Sequence, residues 1–217
     1  MAELPSIIPI FPLPNFVLFP GVLAPLHIFE PRYREMIADV SSSHGLIGMT
    51  MLKGNWERDY YANPDLYEIG CAGRIGAMKR LPDGRYDLIL EGLAEFKVVH
   101  EMRDHPYRTA EVEWRPVPSG RLDLDPLAME NLRDLLVRFL GSSAESLWRS
   151  LVEERGLRGA ALINFICFHL DVNPIEKLTL LEAGESRATC LNDVLTFRLE
   201  ERKLGPGPSG GDSGPLQ

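Results

Sequence analysis

An α+β fold in two parts is predicted by three features. Before Val117 the apolar segments are short and punctuated by proline and glycine; after it they recur at helical spacing; the end is rich in Gly, Pro and Ser. The expected division is a β-rich part with one helix over 1–117, an α-helical bundle over 118–204 and a disordered tail over 205–217. The 217 residues give room for one large domain or two small ones.

The first apolar stretch, from Pro9 to Phe29, is interrupted by Pro12, Pro14, Pro20 and Pro25. Proline has no N–H to donate, so two short strands at an irregular rim, not a central strand, are expected. Glu30-Pro31 opens a helix, with the carboxylate as the expected cap and proline at its first position. Tyr33, Met36, Ile37 and Val40 follow at i, i+3, i+4, i+7 and form its apolar face. Leu46 to Leu52 reads as a strand, and Lys53 to Tyr67, polar and broken by Asn63-Pro64, as a loop. Gly70, Gly73 and Gly76 inside the strand from Ile69 to Leu81 imply bulges or a close backbone approach. Leu81-Pro82-Asp83-Gly84-Arg85 is a hairpin turn, since proline presets one backbone angle and Asp-Gly accepts positive φ. Tyr86 to Leu90 returns, Gly92 is expected to break it, and Phe96 to His100 resumes. Tyr107 to Trp114 alternates, with Ala110, Val112 and Trp114 on one face.

Pro116, Pro118 and Gly120 mark a linker into the helices. Asp125-Pro126 caps the first, Leu132, Leu135, Leu136, Phe139 and Leu140 line it, and Gly141 ends it. Ser142 with Glu145 is an expected capping box, as is Asn173 with Glu176 behind Pro174. Ala160 to Leu170 is apolar nearly all round and is expected at the centre of a bundle. The last helix, about Glu185 to Lys203, places Ala188, Leu191, Leu195 and Leu199 on one side.

The formal net charge of −8 argues against nucleic acid as partner, because such binding leaves a basic footprint. Met1 to Pro5 has no positive segment ahead of an apolar core, and Phe16 to Phe29 is too short and broken to span a bilayer. Cys71, Cys167 and Cys190 lack zinc or redox spacing, which fits buried thiols in a reducing cytoplasm.

The run Pro9-Ile10-Phe11-Pro12-Leu13-Pro14-Asn15-Phe16-Val17-Leu18-Phe19-Pro20-Gly21, continuing to Pro25-Leu26-His27-Ile28-Phe29-Glu30-Pro31-Arg32-Tyr33-Arg34, resembles the opening of the Lon protease N-terminal domain. The segments Glu68 to Ile75, Leu81 to Tyr86 and Leu90 to Val98 are similar to that family's glycine-bearing strand, hairpin and following strand. Asn173-Pro174-Ile175-Glu176-Lys177-Leu178-Thr179-Leu180-Leu181-Glu182, followed by Arg187, resembles its helix ending in Leu-Leu-Glu with an arginine beyond. The resemblance runs over nearly all of residues 7–203. It implies a PUA-like six-stranded barrel with a single helix, then helices, in a protein that handles polypeptide without cutting it. One departure is Glu95, where the family usually carries a basic residue; the reversed charge puts in doubt a partner contact through that strand. The sequence contains no Gly-x-x-x-x-Gly-Lys-Ser/Thr phosphate loop. On these grounds it resembles the free-standing Lon-domain proteins of bacteria, without ATPase or protease.

Candidate chemistry is sparse. Gly207-Pro208-Ser209-Gly210-Gly211 and Gly211-Asp212-Ser213-Gly214-Pro215 are similar to serine-nucleophile segments, but a nucleophile needs a fixed base and oxyanion donors that a Gly/Pro/Ser tail does not provide. His27 and Glu30 are expected in strand and cap roles. His100 and His105 have no partners at metal-ligand spacing, His169 suits a helix C-terminus, and Asp123 and Asp125 fit a linker and a cap. No catalytic, cofactor or metal residues are expected. The candidate polypeptide-binding surface is Trp56, Tyr60, Tyr61 and Tyr67, aromatics set in a polar segment, where large rings gain contact energy with few rotors to freeze. The expected partners are polypeptide clients or a Lon-type protease. The alternatives are RNA, which PUA-like folds bind, and hydrolysis by the tail serines.

Overall fold

The computed structural model describes residues 4–54, 56–59, 64–116 and 124–204. The strands are β1 (Ile7–Leu13), β2 (Leu23–Ile28), β3 (Leu46–Met51), β4 (Ile69–Arg80), β5 (Tyr86–Met102) and β6 (Arg108–Trp114). The helices are α1 (Pro31–Ser41), α2 (Trp56–Asp59), α3 (Pro126–Leu140), α4 (Ser143–Trp148), α5 (Gly159–His169), α6 (Pro174–Glu182) and α7 (Arg187–Leu204), with a π-helical turn, Arg149–Glu154, continuing α4. The expected tail and the linker residues 117–123 lie outside the described residues.

The chain separates into two compact units. One comprises Met1–Asp123 with Arg158–Arg187, the other Leu124–Leu157 with Ala188–Gln217. This division cuts across the one expected at Val117, because α5 and α6 group with the sheet. The apolar surface of α5 explains it in part: Leu162, Ile163 and Cys167 are fully buried. The Asn164 amide also donates to the Pro20 carbonyl at 3.0 Å, tying α5 to the turn ahead of β2.

In the first unit the six strands follow the order β2-β5-β4-β3-β1-β6, and β5 also pairs with β6, so all but β2 close on themselves. The long β5 makes this possible. Tyr86 to Glu91 pair with β2, while Phe96 to Met102 pair with β6. Gly92 therefore does not break the strand. Its amide donates to Val22 and its carbonyl accepts from Gly21, and a Cβ there would stand 2.0 Å from the Phe19 carbonyl oxygen. The glycine admits the close approach of the Phe19–Val22 turn.

The rim position expected for β1 is also corrected, since β1 lies between β3 and β6. It accommodates its prolines by changing partners at Ile10: Ile7 to Ile10 pair with β6, and Ile10 to Leu13 pair in parallel with β3. The Val112 amide donates to Ser6, so by strand alternation the even residues of β1 face β6 and the odd ones β3. The nitrogen of Pro9 thus faces β3 before that pairing begins, and that of Pro12 faces β6 after that pairing ends. Neither costs a ladder hydrogen bond.

Helix α1 buries Tyr33, Met36, Ile37 and Val40, the expected face. Pro31 stands in its first turn, but the Glu30 side chain makes no cap; its carboxylate accepts from Arg32 Nε at 3.0 Å instead. The segment expected as a loop contains the short α2. In α6 the capping box between Asn173 and Glu176 is present, with Pro174 at the start.

The Glu95 side chain faces inward. It is 4% exposed and lies opposite Cys71 on β4. One carboxylate oxygen accepts from Arg187 and the other from Arg115 at 3.0 Å. Arg187, itself fully buried, also donates to Asn164 Oδ1, to the Leu180 carbonyl at 2.8 Å and to the Leu181 carbonyl at 2.9 Å. Arg115 reaches the Glu182 carbonyl at 2.9 Å. Two guanidiniums therefore cap the C-terminal carbonyls of α6, where positive charge is favoured, and one carboxylate of β5 neutralises them. Glu95 is an internal anchor, and the partner contact considered for its charge does not apply to a side chain so buried. Burial, followed by the neighbouring Glu95 carboxylate, raises the Cys71 thiol far above its usual range, keeping it a neutral core group.

In the second unit, the Asp125 carboxylate accepts from the Ala128 amide and Gly141 closes α3 at φ 74°. The expected capping box at Ser142 is absent: Ser142 is already helical in backbone and makes no side-chain cap, and Glu145 pairs with Arg133 at 2.6 Å. Ala188, Leu191, Leu195 and Leu199 form the buried side of α7.

Candidate functional site

The sequence-predicted aromatics do not form one surface. Tyr60 and Tyr61 lie outside the described residues. Trp56 packs against the buried cluster of Ile8, Ile10, Ala72 and Phe96, so its ring is partly spent on the core. Tyr67 is half-buried. Its amide donates to Met51 at 2.9 Å, and the Lys53 ammonium stands 5.5 Å from its ring centroid.

A concave surface of the first unit lies where β2, β5 and the outer half of β4 meet. Three consecutive β4 residues, Gly76, Ala77 and Met78, follow Ile75 while β5 advances only from Leu90 to Leu88, which makes a bulge. A bulge bends its strand and re-aims the side chains beside it. Beside this one opens a groove of about 430 Å³. Pro25, Ala77, Ile89 and Met78 supply apolar lining, and Met78 remains 43% exposed. A thioether on an unbranched chain adapts to differently shaped partners. The sequence signalled the bulge through Gly76 but gave no sign that Pro25 and Ile89, 64 residues apart, would share its wall.

One end of the groove is polar. His27 Nδ1 lies 2.6 Å from Asp87 Oδ1, and Arg85 Nη1 lies 3.3 Å from His27 Nε2. With Nδ1–H donating to the carboxylate, Nε2 accepts from the guanidinium. Arg85 in turn pairs with Asp83 at 2.6 Å. That pairing raises the Arg85 pKa and lowers the Asp83 pKa. His27 is thus joined to Asp87 across the strands and not to Glu30. Phe29, 60% exposed, stacks its ring 6.3 Å from that of His27. Lys79 also lines the groove and stands opposite Asp87 in the strand register.

The remaining candidates are dispersed. His100 lies within β5, and His105 stacks on Tyr107 with ring centroids 4.8 Å apart. His169 closes α5 against Phe165. Ser209 and Ser213 lie outside the described residues, as does Asp123. Among the described residues no cluster of three or more His, Cys, Asp or Glu side chains is placed to hold a metal ion, and no helix is long and apolar enough to cross a membrane. What the groove offers chemically is an adaptable apolar wall with charged groups at its rim, suited to binding.

Comparison with known proteins gives this surface a context. The family model for the ATP-dependent protease La (LON) substrate-binding domain matches residues 7–194. The Lon protease of Flavobacterium johnsoniae is 26% identical over 207 residues, which cover 93% of this chain and 25% of that protein. That of Anaeromyxobacter dehalogenans is 29% identical over 196 residues, covering 86% of this chain and 22% of that protein. The chain thus spans about a quarter of the length of the curated relatives it matches. Among solved structures, a Lon N-terminal domain protein from Xanthomonas campestris is similar in fold, with a TM-score of 0.65 at 23% identity, covering 88% of this chain and 98% of that one. The N-terminal domain of a Mycobacterium avium complex Lon protease has the same TM-score at 15% identity, covering 90% of this chain and 98% of that one.

Proposed function

This chain belongs to the ATP-dependent protease La (LON) substrate-binding domain family, and from that premise we propose that it is a non-catalytic module that recognises unfolded polypeptide in protein quality control. The observation that carries the reading is the open apolar groove beside the β4 bulge, with Met78 exposed on its wall. Extended client segments bury apolar side chains there, and the affinity comes from surface removed from water. The segment bearing Trp56, Tyr60, Tyr61 and Tyr67 is a second contact in this proposal, with Tyr67 as its described, half-buried member. Clients held this way are presented to a protease.

The test is fluorescence anisotropy with a labelled globular protein that has been reduced and alkylated so that it cannot refold. Saturable binding is expected, with little dependence on salt and none of the native form of the same protein. Met78→Asp places a charge on the apolar wall and should weaken binding about tenfold, in line with the loss of one buried apolar side chain. Tyr67→Ala tests the aromatic segment separately. Absence of binding to the unfolded probe, or salt-sensitive binding of an RNA oligonucleotide in its place, overturns the proposal.

A further inference from the structure

We infer that the free edge of β2 takes up an extended client segment as an added strand, so that the client's main chain is what the protein reads. The inference deepens the reading just given and rests on it. β2 stands at the end of the strand order and pairs along one side only, with β5. Just ahead of it, the Gly92 amide donates to the Val22 carbonyl at 2.9 Å. By alternation from Val22, the even residues Ala24, Leu26 and Ile28 bond to β5, and the main-chain groups of Leu23, Pro25 and His27 point away from it. Among the described residues no turn or loop backbone group bonds to these three. Leu23 and His27 therefore each offer a donor and an acceptor, and Pro25 an acceptor alone, at the two-residue spacing of a strand. Edge strands are ordinarily defended by charged side chains or covered by another element. β2, Leu-Ala-Pro-Leu-His-Ile, contains no lysine, arginine or acidic residue. Leu23 is 60% exposed, and Phe29, which stacks on His27 just past the strand, is equally so. Pro25 and His27 share a face with Leu23 and line the groove, so side chains of an added strand on that face continue its wall.

The chemistry of the edge selects its occupant. Donors and acceptors alternating along an extended backbone are matched by another extended backbone, and the main-chain bonds of such a pairing do not depend on side-chain identity. A native protein has its own backbone groups already paired, whereas an unfolded one keeps them available. That is the discrimination the proposed function requires. A second copy of this chain is a poorer occupant. Pairing two β2 edges brings a proline without an N–H from each side, so a bond is lost from each copy, while a client strand without proline forgoes only the one at Pro25. Pro25 thus disfavours self-pairing while leaving the edge open to clients.

The experiment separates main chain from side chain. Leu23→Pro and His27→Pro each remove an outward N–H at no cost to the ladder, whereas Leu23→Ala and His27→Ala remove the side chain and keep that N–H. All four are titrated with the reduced and alkylated protein probe, and circular dichroism checks that the fold is kept. Each proline variant should bind about fivefold more weakly than its alanine counterpart, the scale of one neutral hydrogen bond. A second measurement needs no variant. A labelled peptide with a Thr-Val-Thr-Val-Thr core in a Gly/Ser frame, and the same peptide N-methylated through its core, are titrated against the wild type, which should prefer the unmethylated form by about tenfold, as several such bonds are at stake. Proline and alanine variants that bind alike overturn the inference, as do two peptides that bind alike; where a proline variant does not fold, the peptides decide. If the probe then still binds more weakly to Met78→Asp, the polypeptide-recognition reading stands without the added strand. Failure of the peptides and of the unfolded protein probe alike overturns both. A dimer in sedimentation that Leu23→Pro abolishes would assign the edge to a second copy and also overturn the inference.

Discussion

Replacing Glu95 by alanine should destabilise the first unit more than any surface change, and the structure allows the cost to be worked out. Arg187 is fully buried, and among the described residues Glu95 is the one carboxylate paired with it. Without Glu95 its guanidinium keeps the Asn164, Leu180 and Leu181 oxygens as acceptors but loses its counter-charge, and Arg115, which shares the Leu181 carbonyl, becomes an uncompensated like charge beside it. Breaking a buried pair by removing one partner costs about 3–5 kcal/mol. At about 2–4 °C per kcal/mol for a unit of this size, the midpoint of thermal unfolding should fall by roughly 10 °C. Trp114 is a suitable reporter: its indole N–H donates to Pro5 at 3.0 Å and its ring meets Phe96 edge-on at 6.1 Å. A Trp148→Phe background removes the tryptophan of the second unit, so that a single unit is followed and two-state treatment is tested where it applies. Arg187→Met alone should cost a similar amount, because it leaves Glu95 with Arg115 as its one described cation and uncaps the Leu180 and Leu181 carbonyls at the end of α6. The pair Glu95→Ala with Arg187→Met should then cost about 2–3 kcal/mol less than the sum of the two single changes, since both members of the fully buried pair are gone and only the part-exposed Arg115 keeps its charge. If Glu95→Ala costs under about 1 kcal/mol, or if the two changes add to within about 0.5 kcal/mol, the anchor reasoning is refuted.

The two remaining predictions concern the sheet. Gly92→Ala forces a Cβ to 2.0 Å from the Phe19 carbonyl and should cost about 3 kcal/mol in urea unfolding, whereas Gly76→Ala, whose nearest neighbour would be the Ile89 carbonyl at 3.6 Å, should be tolerated; equal effects would remove the close-approach account. The pKa of His44 is held below its ordinary value, first by burial and then by Arg74. The unfolded chain therefore binds that proton more readily, so this contribution is complete above about pH 6.5 and is lost as the pH falls below it. His44→Asn offers a non-titrating acceptor to the Leu46 amide, which now donates to Nδ1 at 3.0 Å, and should lose less stability than wild type between pH 7 and pH 5; parallel profiles would argue against the assignment.

The Glu95 network also gives a physical reason for a sequence pattern that motif matching leaves unexplained. The run Leu180-Leu181-Glu182 followed by Arg187 ends α6 and then sends an arginine back over the same three carbonyls, with Arg115 assisting. Such an arrangement needs an anion within the sheet, and Glu95 supplies it. The acidic residue that looked like a departure at the surface is a requirement of the interior.

What the sequence determined by itself was local. The buried face of α1, the Asp83-Gly84 turn, the Asp125 cap and the Asn173–Glu176 capping box each depend on residues within a few positions of one another, and side-chain period, backbone angle and short-range hydrogen bonds are legible at that range. The order of the opening motifs was sufficient for the family, because it preserves the spacing of those local elements. Expectations failed where the deciding atoms are distant. The prolines of β1 suggested a rim until two partners, β3 and β6, were seen to share the strand end to end. Gly92 read as a break until the Phe19 carbonyl was found against it. Glu95 and Arg187 stand 92 residues apart, and nothing in either neighbourhood announces that both are buried together. The groove has the same origin. Its bulge could be anticipated from Gly76, but the apolar wall with a charged rim beside it exists only because β2 pairs with β5 and β5 with β4. Local chemistry chose the elements; long-range burial, which a linear sequence does not display, decided which side chains were spent inside and which were left free to bind.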